Sequence, residues 1–333
     1  MATVRVFLPT FRRARLLARA VDSLRAQTFG DWVCEVHNDD PLDDAPHQLL
    51  ARVSDQRFSL VQHERNLGGT ATFNLFFKAA TEPFYAMLED DNWWEPEFLA
   101  QMLEAAEANP TVTVCWANMR LWKEQPDGGF QNTGRCVWPE EAAHTRLFAW
   151  GHPAQLSGAL HSHGAALVRS RPGDDFVTPA VPIAAVELFR ERALPHPLLL
   201  VTAPLANFSI TLQSARSDDR GEWAALQTAL AATFLKHAGL DEEARARLWA
   251  EAREKSPPGT GTLLAAALME PACRPLLMHA RPADWFRWLR GAVRRPGVLW
   301  RVLNSRRLHP DWWSFLERHT AARFREAAQK ATV

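Results

Sequence analysis

The chain has 333 residues, of which 47% are hydrophobic and 23% are charged, which is typical of a folded globular protein. Its formal net charge is +0 at pH 7. A general nucleic-acid-binding protein usually carries a basic excess, so we expect no nucleic-acid partner. The four cysteines lie far apart without a C-x-x-C pair, which argues against a structural zinc site.

The first hundred residues alternate between short apolar runs and helical patterns. Strands are predicted over residues 4–8, 32–36, 57–62 and 84–88. Helices are predicted over residues 16–24, from Gly68-Gly69 to about residue 80, and from Pro96 onward. This order predicts an α/β fold with an open, mostly parallel sheet flanked by helices.

The second half divides into two parts. A β-rich run over residues 111–119 leads into a segment interrupted by Gly and Pro as far as about residue 210. From Glu222 onward the pattern is helical. We therefore expect an α/β domain over residues 1–215 and an α-helical region over residues 216–333.

Four polar clusters fall at the ends of the predicted strands. They are Pro9-Thr10, Asp39-Asp40, Glu64-Arg65-Asn66 and Glu89-Asp90-Asp91. In open α/β sheets, ligands bind beyond the carboxyl ends of the strands. These clusters should therefore converge on one edge of the sheet and form a ligand site.

The acidic cluster Glu89-Asp90-Asp91 directly follows the predicted strand at residues 84–88. Adjacent carboxylates repel each other unless a cation lies between them. Mg²⁺ and Mn²⁺ take carboxylate oxygens and bridge to a substrate diphosphate. A solvated acidic turn that caps the next helix is the alternative. The position after an apolar strand favours a site for Mn²⁺ or Mg²⁺.

The chain resembles the family 2 glycosyltransferases, which have a GT-A fold. The motifs are Leu8-Pro9-Thr10-Phe11-Arg12-Arg13, Leu24-Arg25-Ala26-Gln27-Thr28-Phe29, Asn38-Asp39-Asp40, Asn66-Leu67-Gly68-Gly69 with Asn74, and Leu88-Glu89-Asp90-Asp91 followed by Trp94-Glu95-Pro96. Each motif is short, but together they follow the family's order. The resemblance implies inverting transfer of a sugar from a nucleoside diphosphate donor to an acceptor hydroxyl.

The resemblance also implies roles for single residues. Pro9, Thr10 and Phe11 would line the base pocket, and Asp39 would accept hydrogen bonds from the base. Asp90 would hold the ribose or the metal shell, while Asp91 and Glu89 would bind the metal. The other implied nucleotide-sugar ligands are Arg13, Asn66, Gly68, Gly69 and Asn74. The alternatives are a solvated helix residue for Arg13 and a simple turn for the glycines.

The chain departs from the family pattern in three places. Glu89 replaces the usual first aspartate of the acidic motif. Glu187 is the one carboxylate where the family carries its general base, with Asp174 and Asp175 as upstream alternatives and a surface helix acid as the ordinary interpretation. The family's downstream histidine is absent around residues 207–210, which leaves a third metal ligand open.

Two further features stand outside these motifs. His161 and His163 lie on one side of an extended segment, where we expect an acceptor pocket or a structural role rather than a metal site. The C-terminal region mixes many arginines with Trp285, Trp288, Trp300, Trp312 and Trp313. Helical packing is its ordinary interpretation, and peripheral contact with an anionic membrane is the alternative.

The sequence therefore predicts a glycosyltransferase that uses a nucleoside diphosphate sugar, with UDP as the first choice. The acceptor would be a glycan, a lipid-linked sugar or a protein. The chain shows no signal-peptide pattern and no run of roughly 18 apolar residues, so we expect a cytoplasmic protein, with attachment to the cytoplasmic face of a membrane as the alternative.

The sequence leaves three alternative functions open. The first is a catalytically inactive nucleotide- or glycan-binding protein with the same fold. The second is a nucleotidyltransferase, which Pro9-Thr10-Phe11 matches poorly because that class uses a Gly-rich phosphate loop. The third is a membrane-docked assembly factor, which rests on the Trp/Arg-rich region alone.

Overall fold

The computed structural model describes residues 2–76, 80–139, 142–157, 160–171, 181–182, 185–193, 195–212, 219–255 and 257–331. The chain forms two compact units. The first comprises Met1–Ala149, His161–Pro179 and His196–Ala215. The second comprises Trp150–Leu160, Ala180–Pro195 and Arg216–Val333.

The first unit is built on one mixed sheet. Its strands are β1 (Val4–Thr10), β2 (Trp32–Asn38), β3 (Phe58–Gln62), β4 (Phe84–Met87), β5 (Trp93–Trp94), β6 (Val114–Glu124), β7 (Phe130–Cys136), β8 (Thr145–Phe148), β9 (Ala166–Arg169) and β10 (Leu198–Ile210). They lie in the order β3-β2-β1-β4-β9-β6-β10-β5, with β7 beside β6 and β8 beside β10.

Most of the sheet runs in one direction. Strands β3, β2, β1 and β4 are parallel neighbours, and β6 is parallel to β10. Strand β9 lies antiparallel between β4 and β6, so these two groups share one direction. The predicted α/β class with a mostly parallel sheet is therefore confirmed.

Helices cover the sheet because its strands are apolar on both faces. The first unit contains α1 (Ala14–Arg25), α2 (Ala45–Val53), α3 (Gly69–Leu75) and α4 (Phe98–Ala108). Alternating residues of β1 serve two cores: Val6 packs with Leu17 of α1 and Phe98 of α4, whereas Phe7 packs in a smaller cluster with Phe76. The predicted apolar stripe of α1 is buried, as expected.

The structure differs from the helix prediction at two points. Helix α2 was not predicted, although Leu49, Leu50 and Val53 pack partly buried against the core. The helix is nine residues long, which gives only a short periodic signal. Helix α3 ends at Leu75, although apolar residues continue to Ala80. Residues 77–79 lie outside the described part of the chain.

The second unit is helical. Its helices are α5 (Pro153–Ser157), α6 (Val186–Ala193), α7 (Arg220–His237), α8 (Glu242–Lys255), α9 (Pro257–Met269), α10 (Pro282–Arg294), α11 (Pro296–Leu303), α12 (Ser305–Leu308) and α13 (Pro310–Ala331). Trp249, Trp312 and Trp313 belong to its core. Within the described residues, every helix is too short or too polar to cross a bilayer.

The Gln27-Thr28 motif fastens the end of α1 to the segment after the acidic cluster. Gln27 is buried, and its amide nitrogen donates to the Ser23 carbonyl (3.1 Å) and the Glu95 carbonyl (2.8 Å). Its oxygen accepts from the Leu99 N–H at 3.0 Å. The Thr28 N–H donates to the Pro96 carbonyl at 2.9 Å. This side chain thus satisfies three backbone groups.

We expect Gln27→Ala to lower the free energy of unfolding by about 2 kcal/mol, because it leaves these backbone groups without their partner. Urea denaturation measures this change. Gln56→Ala is the control, since Gln56 is exposed and its loss should change stability by less than ~0.5 kcal/mol. Equal effects of the two variants would contradict the assigned role of Gln27.

Candidate active site

The acidic cluster lies directly beyond β4, beside the end of β1. The Thr10 hydroxyl donates to Asp90 Oδ2 at 2.9 Å, in a buried hydrogen bond. Arg13 Nη1 lies 3.3 Å from Asp90 Oδ1 and 2.9 Å from Asp91 Oδ2. One guanidinium therefore spans two neighbouring carboxylates, and Arg13 is not the solvated helix residue of the alternative interpretation.

The negative charge of Asp90 and Asp91 is only partly compensated by Arg13. Burial raises the pKa of Asp90 to about 7, and the charge of Asp91 adds to this, against opposing contributions from Arg13 and Thr10. Burial also raises the pKa of Asp91, although Arg13 opposes it. A raised carboxyl pKa means that the anion is poorly compensated. An added cation at this point would therefore be stabilised.

Asp39 holds the glycine loop. Its two carboxylate oxygens accept from the backbone N–H groups of Leu67 (2.7 Å) and Gly68 (3.0 Å). Gly68 has φ +79°, a left-handed conformation that a side chain would strain, and it caps α3. The Asp39 N–H donates to the Thr10 carbonyl at 3.0 Å. A carboxylate has about four acceptor sites, so contact with a base stays a prediction for Asp39.

The aromatic ring expected at the base pocket is accessible. Pro9 and Thr10 are buried, whereas Phe11 is 39% exposed and carries the Arg12 guanidinium over its ring at 4.9 Å. Arg12 adopts φ 56° and pairs with Asp40. The turn after β1 thus presents Phe11 at the surface while Thr10 points into the acidic cluster.

Glu89 faces a different partner from Asp91. Its Oε2 accepts from the Asn92 amide at 2.7 Å, and the Asn92 oxygen accepts from the Ser209 N–H at 2.9 Å. Gly164 lies against this pair, because a Cβ on it would be 2.7 Å from Glu89 Oε2. The segment that carries the two predicted acceptor histidines therefore borders the acidic cluster.

The two histidines are enclosed by aromatic rings. The His161 ring lies 5.4 Å from Trp116, and the His163 ring lies 6.1 Å from Phe73. Burial lowers the pKa of His161 to about 4, so its imidazole is neutral near pH 7. A neutral imidazole can both donate and accept a hydrogen bond.

Three residues that the sequence did not single out complete this region. Arg19 Nη2 donates to the Asp91 carbonyl (2.6 Å) and to the Ser209 hydroxyl (3.0 Å). Its guanidinium lies 3.8 Å from the ring centre of Trp93. Burial lowers the pKa of Arg19 to about 10. Arg19, Asn92 and Ser209 join distant parts of the chain, so no local pattern could reveal them.

The remaining predicted residues lie in or near α3 and α6, or outside the described part of the chain. Asn66 is exposed, Gly69 begins α3, and Asn74 is buried within α3. The backbone of Glu187 belongs to α6 in the second unit, but its side chain lies outside the described part of the structure. The upstream alternatives Asp174 and Asp175 also lie outside it.

The carboxylates fit a metal that is shared with a diphosphate. Among the described residues, no group of three or more His, Cys, Asp and Glu side chains is placed to hold a metal by itself. Mg²⁺ is usually bound through one or two carboxylates plus substrate phosphates, with water completing the shell. Glu89 and Asp91 supply oxygen ligands of that kind beside the poorly compensated Asp90.

Residues 5–150 match the family model described as Glycosyl transferase family 2. The comparisons support a family 2 glycosyltransferase domain in this segment. The match covers β1 to β8 and therefore contains the whole acidic cluster. Inversion at the anomeric carbon stays a prediction.

Several curated glycosyltransferases are similar to part of this chain. An uncharacterized glycosyltransferase of Nostoc sp. is 31% identical over 114 residues, which cover 33% of this chain and 35% of that protein. UDP-Glc:alpha-D-GlcNAc-diphosphoundecaprenol beta-1,3-glucosyltransferase WfgD of Escherichia coli is 28% identical over 144 residues, which cover 43% of this chain and 54% of that protein. The chain thus spans about a third to a half of these relatives.

A solved structure shows the same fold over more of the chain. The crystal structure of S. aureus TarS 1–349 in complex with UDP-GlcNAc superposes with a TM-score of 0.63 at 13% identity. It covers 95% of this chain and 90% of that one. At this identity the likeness shows a shared fold.

Removing the buried charge should change how stability depends on pH. The folded pKa of Asp90 is about 7 and its ordinary value is 3.8, so the folded state binds this proton more tightly than the unfolded state. The stability of the metal-free protein should therefore fall as pH rises from about 4 to about 7. We expect Asp90→Asn to remove part of this fall and to gain about 1–2 kcal/mol at pH ~8 relative to pH ~5.

Urea denaturation in a chelating buffer at several pH values measures this effect. Asp22→Asn is the control, because the Asp22 side chain is 68% exposed, and it should keep the wild-type profile. A pH profile of Asp90→Asn that is parallel to wild type would show that Asp90 is ionised without cost.

A side chain at Gly164 should act through Glu89. The added methyl of Gly164→Ala would displace the Glu89 carboxylate from Asn92. We expect a loss of about 1–3 kcal/mol in the free energy of unfolding. The loss should shrink when Glu89→Ala is also present, because the closest contact is then removed and Asn92, at 3.0 Å from the added Cβ, is free to move. Gly30→Ala is the control, since nothing lies within 4 Å of its added Cβ. Strictly additive effects of the two substitutions would refute this contact.

Proposed function

We propose that this protein is a glycosyltransferase that moves a sugar from a nucleoside diphosphate to an acceptor hydroxyl. The observation that carries the proposal is the joining of β1, β2 and β4 at one sheet edge through Thr10, Asp39 and Asp90. The family match over residues 5–150 supports the same activity. The donor site then belongs to the α/β domain expected over residues 1–215.

Each group at this edge suits one part of the donor. The exposed ring of Phe11 offers a stacking face for the base, and Asp39 keeps acceptor capacity for a base N–H. Asp90 is suited to the ribose hydroxyls or the metal shell. The Gly68 N-cap of α3, which Asp39 holds in place, lets the backbone approach the sugar nucleotide closely. UDP is our first choice of nucleotide, and the TarS structure was solved with UDP-GlcNAc.

Glu89 and Asp91 would hold Mn²⁺ or Mg²⁺ together with the donor diphosphate. The bound ion would supply electrostatic stabilisation of the negative charge on the leaving diphosphate. Arg13 has a related task, because its guanidinium already spans Asp90 and Asp91 at 3.3 and 2.9 Å. It keeps the two carboxylates close together and offsets part of their repulsion.

The acceptor side is assigned to the segment around His161 and His163. These imidazoles, next to Gly164 and Glu89, suit hydrogen bonds to sugar hydroxyls. We propose Glu187 as the base that takes the proton of the acceptor hydroxyl. The acceptor is a glycan, a lipid-linked sugar or a protein, and the name of the Escherichia coli relative supports a lipid-linked sugar.

Nucleotide binding tests this proposal most directly. Calorimetric titration of UDP, GDP and dTDP, with and without Mn²⁺, should show metal-dependent binding of one nucleotide. Asp91→Asn should weaken that binding at least roughly tenfold, since even a residue that only supports a metal ligand contributes that much. Asp22→Asn is the matched control and should bind as wild type does.

The outcomes separate the candidate functions. Binding followed by release of free sugar from the matching donor would support the enzyme. Binding without any turnover or hydrolysis would favour the catalytically inactive nucleotide-binding protein. No binding of any of the three nucleotides would refute the glycosyltransferase proposal.

A further inference from the structure

Helix α10 of the second unit carries an apolar stripe on its outer face. Phe286 is 69% exposed, Leu289 is 53% exposed and Val293 is 81% exposed. Their spacing of three and four residues places them on one side of the helix. Large apolar side chains in a row on a protein surface mark a contact site rather than ordinary solvent exposure.

The opposite face of α10 is turned toward the other helices of the second unit. Trp288, Gly291 and Ala292 line a cavity of about 700 Å³, together with Val298 and Val302 of α11. The exposed stripe is therefore not the side by which α10 packs on its own unit. Helix α11 adds Trp300 and Leu303 to the outside, at 55% and 45% exposure.

A basic stripe runs beside the apolar one. Arg290 and Arg294 each follow a residue of the apolar stripe by one position, so they lie along its flank, and both are exposed. Arg287 lies on the cavity side instead, where its guanidinium is 3.4 Å from the Thr260 hydroxyl. We call the two stripes, with Trp300 and Leu303, the α10–α11 surface.

The charge of this segment is strongly one-sided. Residues 281–308 contain eight arginines and one acidic residue, Asp284, in a chain whose net charge is +0. Asp284 is buried, is bound by Arg253 at 2.8 Å and lies 3.6 Å from Arg287. Arg287, Arg301 and Arg306 thus pair with carboxylates, whereas Arg290, Arg294 and Arg295 are exposed.

Asp284 also fixes the start of α10. Its Oδ2 accepts from the Arg281 N–H at 2.9 Å and from the Arg253 guanidinium. Pro282 stands in the first turn, where its fixed φ suits a helix start. The two stripes are therefore presented by a helix that is already formed and anchored.

We propose that the α10–α11 surface docks on an anionic lipid bilayer. Phe286, Leu289 and Val293 enter the boundary between headgroups and acyl chains, and the flanking arginines bind lipid phosphates. The charge decides in favour of a bilayer, because a row of guanidiniums beside an apolar stripe matches a surface that is anionic outside and apolar beneath. The helix lies in the plane of the interface, in keeping with the absence of a membrane-crossing helix from the described residues.

The test uses the full chain and sedimentation with vesicles. Vesicles of phosphatidylcholine are compared with vesicles that also contain about one-third phosphatidylglycerol. Wild type should bind the anionic vesicles, and raising the salt from about 0.05 M to about 0.5 M should release it. Nucleotide is absent, so the result does not depend on the proposed enzyme activity.

Two pairs of substitutions separate the contributions. Phe286→Ser with Val293→Ser should lower the partition coefficient on the order of tenfold or more, because two apolar side chains no longer enter the interface. Arg290→Gln with Arg294→Gln should lower it roughly fivefold for each charge removed. The controls are Leu42→Ser and Arg52→Gln, two exposed positions in the first unit. Circular dichroism and urea denaturation check that each variant is folded.

Several results would overturn the proposal. Wild type could fail to sediment with anionic vesicles, or could bind neutral and anionic vesicles equally at all salt concentrations. The paired variants could bind as well as wild type. Self-association of wild type without vesicle binding, lost in Phe286→Ser with Val293→Ser, would assign the surface to a second copy of the chain.

Discussion

Asp90 and Asp91 are adjacent carboxylates just beyond the end of β4, and they repel each other. The neighbouring residues of the candidate site reduce this repulsion. Thr10 brings β1 to Asp90, and Arg13 from the start of α1 spans both carboxylates. The compensation is partial, since the pKa of Asp90 stays near 7. A fold that buries charge in this way is less stable than one with an apolar residue there. The same negative charge would attract a cation, and a diphosphate could bind only through that cation.

The surrounding loops are held by hydrogen bonds from buried polar side chains to backbone groups. Asp39 fixes the backbone of Leu67 and Gly68, and Gln27 fixes the segment that follows the acidic cluster. Glu89 accepts a hydrogen bond from Asn92 and lies against Gly164. Polar side chains thus act mainly on backbone groups of neighbouring loops. Phe11 is accessible at the turn after β1, whereas Thr10 beside it is buried.

The second unit separates its two kinds of aromatic residue by exposure. Trp312 and Trp313 belong to its core, whereas Phe286 and Trp300 lie outside among arginines. From the sequence alone, the Trp/Arg-rich region has two interpretations, helical packing and membrane contact. Packing is confirmed for Trp312 and Trp313 of α13, whereas membrane contact stays a proposal for the exposed residues of α10 and α11. A transferase that acts on lipid-linked sugars would have a use for such a surface.

The sequence by itself determined the succession of β1 to β4 along the chain and the polar motifs that follow them, because apolar runs and turn residues are local signals. It also indicated Thr10, Asp39, Asp90 and Asp91 as residues of one site. It missed α2, a short helix whose apolar residues are only partly buried, and it missed Arg19, Asn92 and Ser209. Those three meet across up to 190 positions of the chain, from α1 to β10. Only the tertiary structure decided these contacts, because hydrogen bonds between distant segments leave no periodicity in either one.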